Sequence, residues 1–156
     1  MSNDLLYKVA YDEAMRALSE QQAVIDSFRN RAGLLLSSAA IAASFLGSQA
    51  LRGGRPNAAS WLALLCFVAV AAASLAILWP RRWEGKANPR DLIATYIESP
   101  HPAPIENLHR DLAIHMHNSY SENRGGLEQF FYLLQLASGF LTLEVILWMI
   151  ALVITF

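Results

Sequence analysis

Apolar and small residues return at alternating intervals of four and three along the N-terminal stretch: Tyr7, Tyr11, Ala14, Leu18, Gln21, Ile25, Phe28 and Ala32. A mean period of about 3.5 residues is the seam by which one helix packs along another. Glu13, Arg16, Glu20 and Arg29 fall off that seam. No proline separates residues 4–31 from the apolar run at residues 32–51, so one helix is predicted to continue through both. That run is 20 residues without a charge, bracketed by Arg31 and Arg52. Its length matches the need of a bilayer. Ser37, Ser38, Ser44, Ser48 and Gln49 dilute the run, and small residues recur four apart: Gly33 with Ser37, Ala40 with Ser44 and Ser48, Ala43 with Gly47. Such spacing lets helix backbones approach closely in lipid. Packing against a neighbouring span and lining a pore or oligomer axis both fit it.

Gly53, Gly54, Pro56 and Asn57 predict a short turn. Residues 58–80 form a second uncharged run with Trp61 and Trp79 near its ends. About 27 Å of helix separates the two tryptophans, which suits the two interfacial aromatic belts. Pro80 ends the run. Asn88, Pro89 and Asp91 have the cap, first-turn proline and acid of a helix start, predicting a short helix to about Ser99. Pro100, Pro102 and Pro104 break it, and another helix begins near Ile105 with Leu108, Leu112 and His115 on one face. Gly125 and Gly126 are its one weak point, and residues 130–156 are a third apolar run with a single carboxylate, Glu144.

Of the 156 residues 54% are hydrophobic and only 16% charged, against about 25% charged in soluble domains. Long stretches carry no charge at all, the composition of a membrane protein. Cys66 is the only cysteine, so no disulfide framework exists, and inside an apolar run it reads as a packing residue. The first run begins too late for a secretory leader. Basic residues set the orientation: Lys8, Arg16, Arg29 and Arg31 precede the first run, six lie in residues 81–129, and only Arg52 and Arg55 lie between the first two runs. Positive-inside counting puts the N terminus and the long middle segment in the cytoplasm and Phe156 outside.

A charged acid at the centre of a span costs about 2.5 kcal/mol or more, so Glu144 asks for an explanation. On a helical wheel it shares a side with Ala137, Leu141, Trp148 and Ala151. No Lys or Arg lies inside any run. Three readings are open: a protonated acid hydrogen-bonded to Ser or Gln of another helix, a ring of carboxylates at an oligomer axis, or an acid lining a water-filled path. Gln135, Ser138 and Thr142 form a separate polar stripe, better explained by helix packing. Arg81, Arg82, Lys86 and Arg90 fit a positive-inside signal with anionic lipid contact, or a phosphate-binding surface beside a helix N terminus. The predicted cytoplasmic parts hold 10 basic against 12 acidic residues, which does not indicate a broad nucleic-acid surface. His115 and His117 point to different sides of a helix, so no metal site is expected. Neither a phosphate-cradling loop nor a nucleophile elbow appears, and neither an enzyme nor a cofactor is expected.

One arrangement is familiar. A seam-bearing helix leads into Asp26, Arg29 and the run Arg31-Ala32-Gly33-Leu34-Leu35. A second span closes on Leu78-Trp79-Pro80-Arg81-Arg82-Trp83, and a helix then carries Leu108-His109 through Asn118 and Asn123 into the last span. This resembles the small bacterial membrane effectors of nucleotide-signalling anti-phage systems, the Pycsar-type and SLATT-type families, with a Hailong-like layout. The resemblance implies a nucleotide or short oligonucleotide ligand made by a partner nucleotidyltransferase or cyclase, and spans that permeabilise the membrane. It would place the ligand among Arg81, Arg82, Arg90, His109, Arg110, Asn118 and Arg124, and the membrane function on Glu144 with Ala137 and Ala151 beside it.

The expectation is an all-α membrane protein of the bacterial inner membrane. Its parts are a cytoplasmic seam-bearing helix (1–31), spans at 32–51, 58–80 and 130–156, and a cytoplasmic helical segment at 81–129. The expected function is an ion-conducting homo-oligomer gated by a nucleotide signal in the lipid bilayer. The alternative is a non-conducting membrane scaffold whose cytoplasmic helices bind a protein partner.

Overall fold

The computed structural model describes residues 3–52, 56–80, 93 and 104–155. Among them are three long helices and no strand: α1 (Asn3–Ala50, 48 residues), α2 (Ala58–Leu78, 21 residues) and α3 (Ile105–Thr155, 51 residues). All three are long and apolar enough to cross a membrane. The first helix runs without a break from the seam into the apolar run, as the absence of proline allows. The third starts at Ile105 and passes through Gly125 and Gly126, where a β-carbon on Gly125 would meet nothing. The predicted short helix at 88–99 lies outside the described residues except for Ile93.

Local chemistry sets the ends of α2. Asn57 caps it, its Oδ1 accepting from the Ser60 N–H and the Ser60 hydroxyl, both at 2.9 Å. At the other end the Trp79 N–H donates to the Leu75 carbonyl at 2.8 Å. Pro80 then supplies no N–H to continue the ladder.

The chain divides into two compact units, Met1–Ile25 with Arg81–Leu127, and Asp26–Pro80 with Glu128–Phe156. In the first, α1 and α3 run parallel. Tyr11 stacks on His109 with ring centroids 6.0 Å apart, and further along Gln21 reaches the Tyr120 carbonyl at 3.2 Å. The seam residues Gln21 and Ile25 are buried on α1, and Met116, Ser119 and Asn123 on α3. His115 is exposed, and the buried line expected to continue through it from Leu108 and Leu112 passes through Met116 instead. The Asn123 amide donates to Gln21 Oε1 at 3.4 Å, a polar pair inside an apolar seam. Such pairs fix the register of two helices at some cost in stability. Asn123→Ala is expected to cost about 1–3 kcal/mol by stranding a buried amide, whereas Gln21→Leu with Asn123→Leu is close to neutral. Thermal unfolding tracked by circular dichroism checks both.

In the second unit α1 and α3 are again parallel, paired by an edge-to-face contact of Phe28 and Phe131 at 6.5 Å and by Gly47 against Trp148. Here α2 runs the other way, since Asn57 at its start donates to the Ala151 carbonyl near the end of α3, at 3.4 Å. The inner faces are narrow and mostly small: Ala32, Ala39, Gly47 and Ala50 on α1; Ser60, Ala63, Cys66, Val70, Ser74 and Ile77 on α2; Phe130, Ala137, Glu144, Trp148 and Ala151 on α3. Trp148 and Ala151 pack with Ala50 and Ala63 in one cluster, flanked by Leu46, Ala59, Leu147 and Leu152. Small residues let backbones approach where dispersion, not water exclusion, drives association. Outward stand Leu34, Ile41, Phe45, Leu62, Leu65, Val68, Ile146 and Val153. Only 28% of the most apolar window of α2 is buried within the protein, a surface suited to lipid.

Among the small residues spaced four apart, Gly47 is buried and Gly33 and Ala43 are half-buried. Ser37, Ala40, Ser44 and Ser48 are exposed. Ser37 and Ser48 satisfy their hydroxyls on their own helix, at the Gly33 and Phe45 carbonyls, both at 2.9 Å.

Candidate functional site: a carboxyl inside the bundle

On α3 the residues Met116, Asn123, Phe130, Ala137, Glu144 and Ala151 succeed one another at intervals of seven, and every one is buried. Glu144 therefore occupies a seam position, one that the helix period turns toward its neighbours. It is fully buried, at 0% exposure, and neither of its carboxylate oxygens has a hydrogen-bond partner among the described residues. Ala137 and Ala151, two turns to either side, are also at 0%. Trp148, one turn on, is 3% exposed, and its indole Nε1 makes no hydrogen bond among the described residues either. From α2 the Cys66 thiol lies within electrostatic reach of the carboxyl. Ser74, eight residues further along α2, is a third buried polar group without a partner.

This geometry bears on the three readings of the acid. A hydrogen bond to Ser or Gln of another helix is not made among the described residues. A carboxylate lining an oligomer axis would stand on an outer face of the single chain, whereas α3 turns Glu144 inward. Once water reaches such a carboxyl it can exchange a proton and attract a cation.

The polar stripe on α3 faces outward. Gln135, Ser138 and Thr142 are exposed, and the two hydroxyls donate to the Leu134 and Ser138 carbonyls at 2.8 and 3.0 Å.

The candidate ligand residues do not converge. His109 is half-buried against Tyr11, while Arg110, Asn118 and Arg124 are exposed. Arg110 and Arg124, fourteen positions apart, share one side of α3 but are separated by about 21 Å of helix. They form a stripe. Arg81, Arg82 and Arg90 lie outside the described residues, as do Lys86 and Arg55.

Cys66 near the acid and Gly47 under Trp148 are neighbours that sequence spacing does not reveal. The signal available for Cys66 is topological: antiparallel α2 begins with Asn57 opposite Ala151, so seven residues on, at Leu64, it reaches the Glu144 layer within a turn of Cys66. Comparison with protein-family models, with curated proteins and with solved structures finds no match to this chain.

Proposed function

We propose that this chain is a homo-oligomeric effector of the bacterial inner membrane that conducts ions under the control of a nucleotide or short oligonucleotide signal, with Glu144 on the conduction path. The observation that carries the reading is the fully buried carboxyl without a partner, on a helix apolar enough to cross a membrane. Acids are retained at such depth where they serve an ion or proton path. Because α3 turns it inward, the arrangement described is the non-conducting one, and conduction requires the helices of the second unit to part or rotate until water meets the carboxyl. The basic-residue counts support a cytoplasmic N terminus and an outer C terminus. The ligand class comes from the resemblance to nucleotide-signalling effectors alone, since the exposed Arg110, Asn118 and Arg124 are spread along α3 and do not converge on one site.

A scaffold that binds a protein partner is the second reading. It is favoured by the apolar side chains exposed in the first unit, among them Leu5, Leu6, Val9, Val24 and Ile114, and it predicts no ion flux.

Cells expressing the protein and loaded with a voltage-sensitive dye separate the two. Wild type is expected to depolarise the membrane on activation, whereas Glu144→Gln and Glu144→Ala, inserted to the same level, do not. Equal depolarisation in all three would remove Glu144 from the path.

A further inference from the structure

We propose that the groove between α1 and α3 at the Arg31 end of the second unit binds one phospholipid with an anionic headgroup. The proposal rests on the reading of these helices as membrane spans. The groove is open, holds about 320 Å3, and is lined by Leu34, Leu35 and Ser38 of α1 and by Leu134 and Ser138 of α3, with Arg31 at its polar end. The Ser138 hydroxyl is already committed to the Leu134 carbonyl, so the lining presented to an occupant is largely apolar.

Arg31 is exposed and makes no ion pair among the described residues. By contrast, Arg16 meets Glu20 at 3.2 Å and Arg29 approaches Asp26 at 4.0 Å. Arg31 stands where the charged stretch gives way to the apolar run, the depth of the headgroup layer. Tyr132 and Trp79 are exposed toward the same end, as interfacial aromatics are. A guanidinium there offers a fork of donors that fits a phosphate. Below it the groove continues over the seven residues from Arg31 to Ser38, about 10 Å of helix.

Those two features select the occupant. A free phosphate would leave the apolar part empty. Within the apolar runs a second copy would bring no negative charge, because residues 32–80 hold no acid and Glu144 is buried. The acids flanking those runs, Asp26 and Glu128, lie outside them, and Asp26 already approaches Arg29. A phospholipid supplies both halves, phosphate at Arg31 and an acyl chain against Leu34, Leu35 and Leu134.

The test is native mass spectrometry of the intact protein in mild detergent, titrated with phosphatidylglycerol, phosphatidylcholine or the acyl-free headgroup glycerol phosphate. Wild type is expected to retain phosphatidylglycerol about fivefold over phosphatidylcholine, the factor expected of one basic residue at an anionic surface. Arg31→Gln is expected to erase that preference and Arg31→Lys to keep part of it. Ser38→Phe, which fills the groove without changing charge, is expected to lower retention of both lipids. Equal retention of the two lipids by wild type, an unchanged preference in Arg31→Gln, or full retention in Ser38→Phe would each overturn the site. Glycerol phosphate competing as well as the whole lipid would replace it by a phosphate site. An alkaline wash of the membranes separates the two levels: released protein overturns the span reading and the lipid site together, whereas retained protein without headgroup preference overturns the lipid site alone.

Discussion

Glu144→Leu is expected to raise the melting temperature of the detergent-solubilised protein while abolishing ion flux. The carboxyl lies at 0% exposure with neither oxygen hydrogen-bonded among the described residues. Burying a polar group without a partner costs about 1–3 kcal/mol by mutational measurement, and leucine of similar size removes that cost. A chain of this length gains roughly 2–4 °C per kcal/mol, so the expected shift is several degrees. Glu144→Gln keeps the shape and leaves an amide just as unpartnered, so its stability should stay near wild type while flux is lost. Stabilisation coupled to loss of function marks a group held for use and not for folding. A Glu144→Leu protein that melts lower than wild type would mean that the carboxyl makes a stabilising bond, and that its role is structural.

Gly47→Leu is expected to destabilise the protein as strongly as Asn123→Ala and to alter ion flux as well. A β-carbon at Gly47 would already stand 3.0 and 3.2 Å from the Trp148 ring, closer than ordinary van der Waals contact. Alanine asks the indole to shift by a few tenths of an ångström. Leucine places three further carbons where the ring sits, and overpacking of this kind costs about 1–3 kcal/mol. The displacement pries α1 from α3 one turn from Glu144. If parting of these helices is how the carboxyl meets water, the same variant also leaks ions without a ligand. Wild-type melting and flux for Gly47→Leu would show that α1 and α3 do not close on each other there.

The helices were legible in the sequence because their signals are long and mutually consistent: three uncharged or nearly uncharged runs, a proline at the end of the second, and no breaker within the first. The inner face of α1 was less so. Of the small residues four apart, Gly47 turns inward, whereas Ala40, Ser44 and Ser48 turn outward and do not pack within the chain. The buried Ala32, Ala39 and Ala50 instead extend the intervals of the N-terminal seam, a pattern lost to view when every residue of a span is apolar or small. Glu144 was conspicuous as the only charge in its run, and its alanine neighbours came from the helix period alone. Its proximity to Cys66 on α2, and the fit of Gly47 under Trp148, depend on helix direction and depth, which one-dimensional spacing does not carry. The ligand residues fared worst, because scattered Arg, His and Asn are compatible with any solvated helix face.

The measurement to make first is potassium flux from dye-loaded liposomes holding purified protein, comparing wild type with Glu144→Gln, each with and without cyclic nucleotides and short oligonucleotides. Flux is expected from wild type, to change with one of those ligands, and to fall in Glu144→Gln at equal insertion. Inserted, oligomeric protein that stays silent under every condition, or that conducts equally with and without the carboxylate, would contradict an ion path through Glu144.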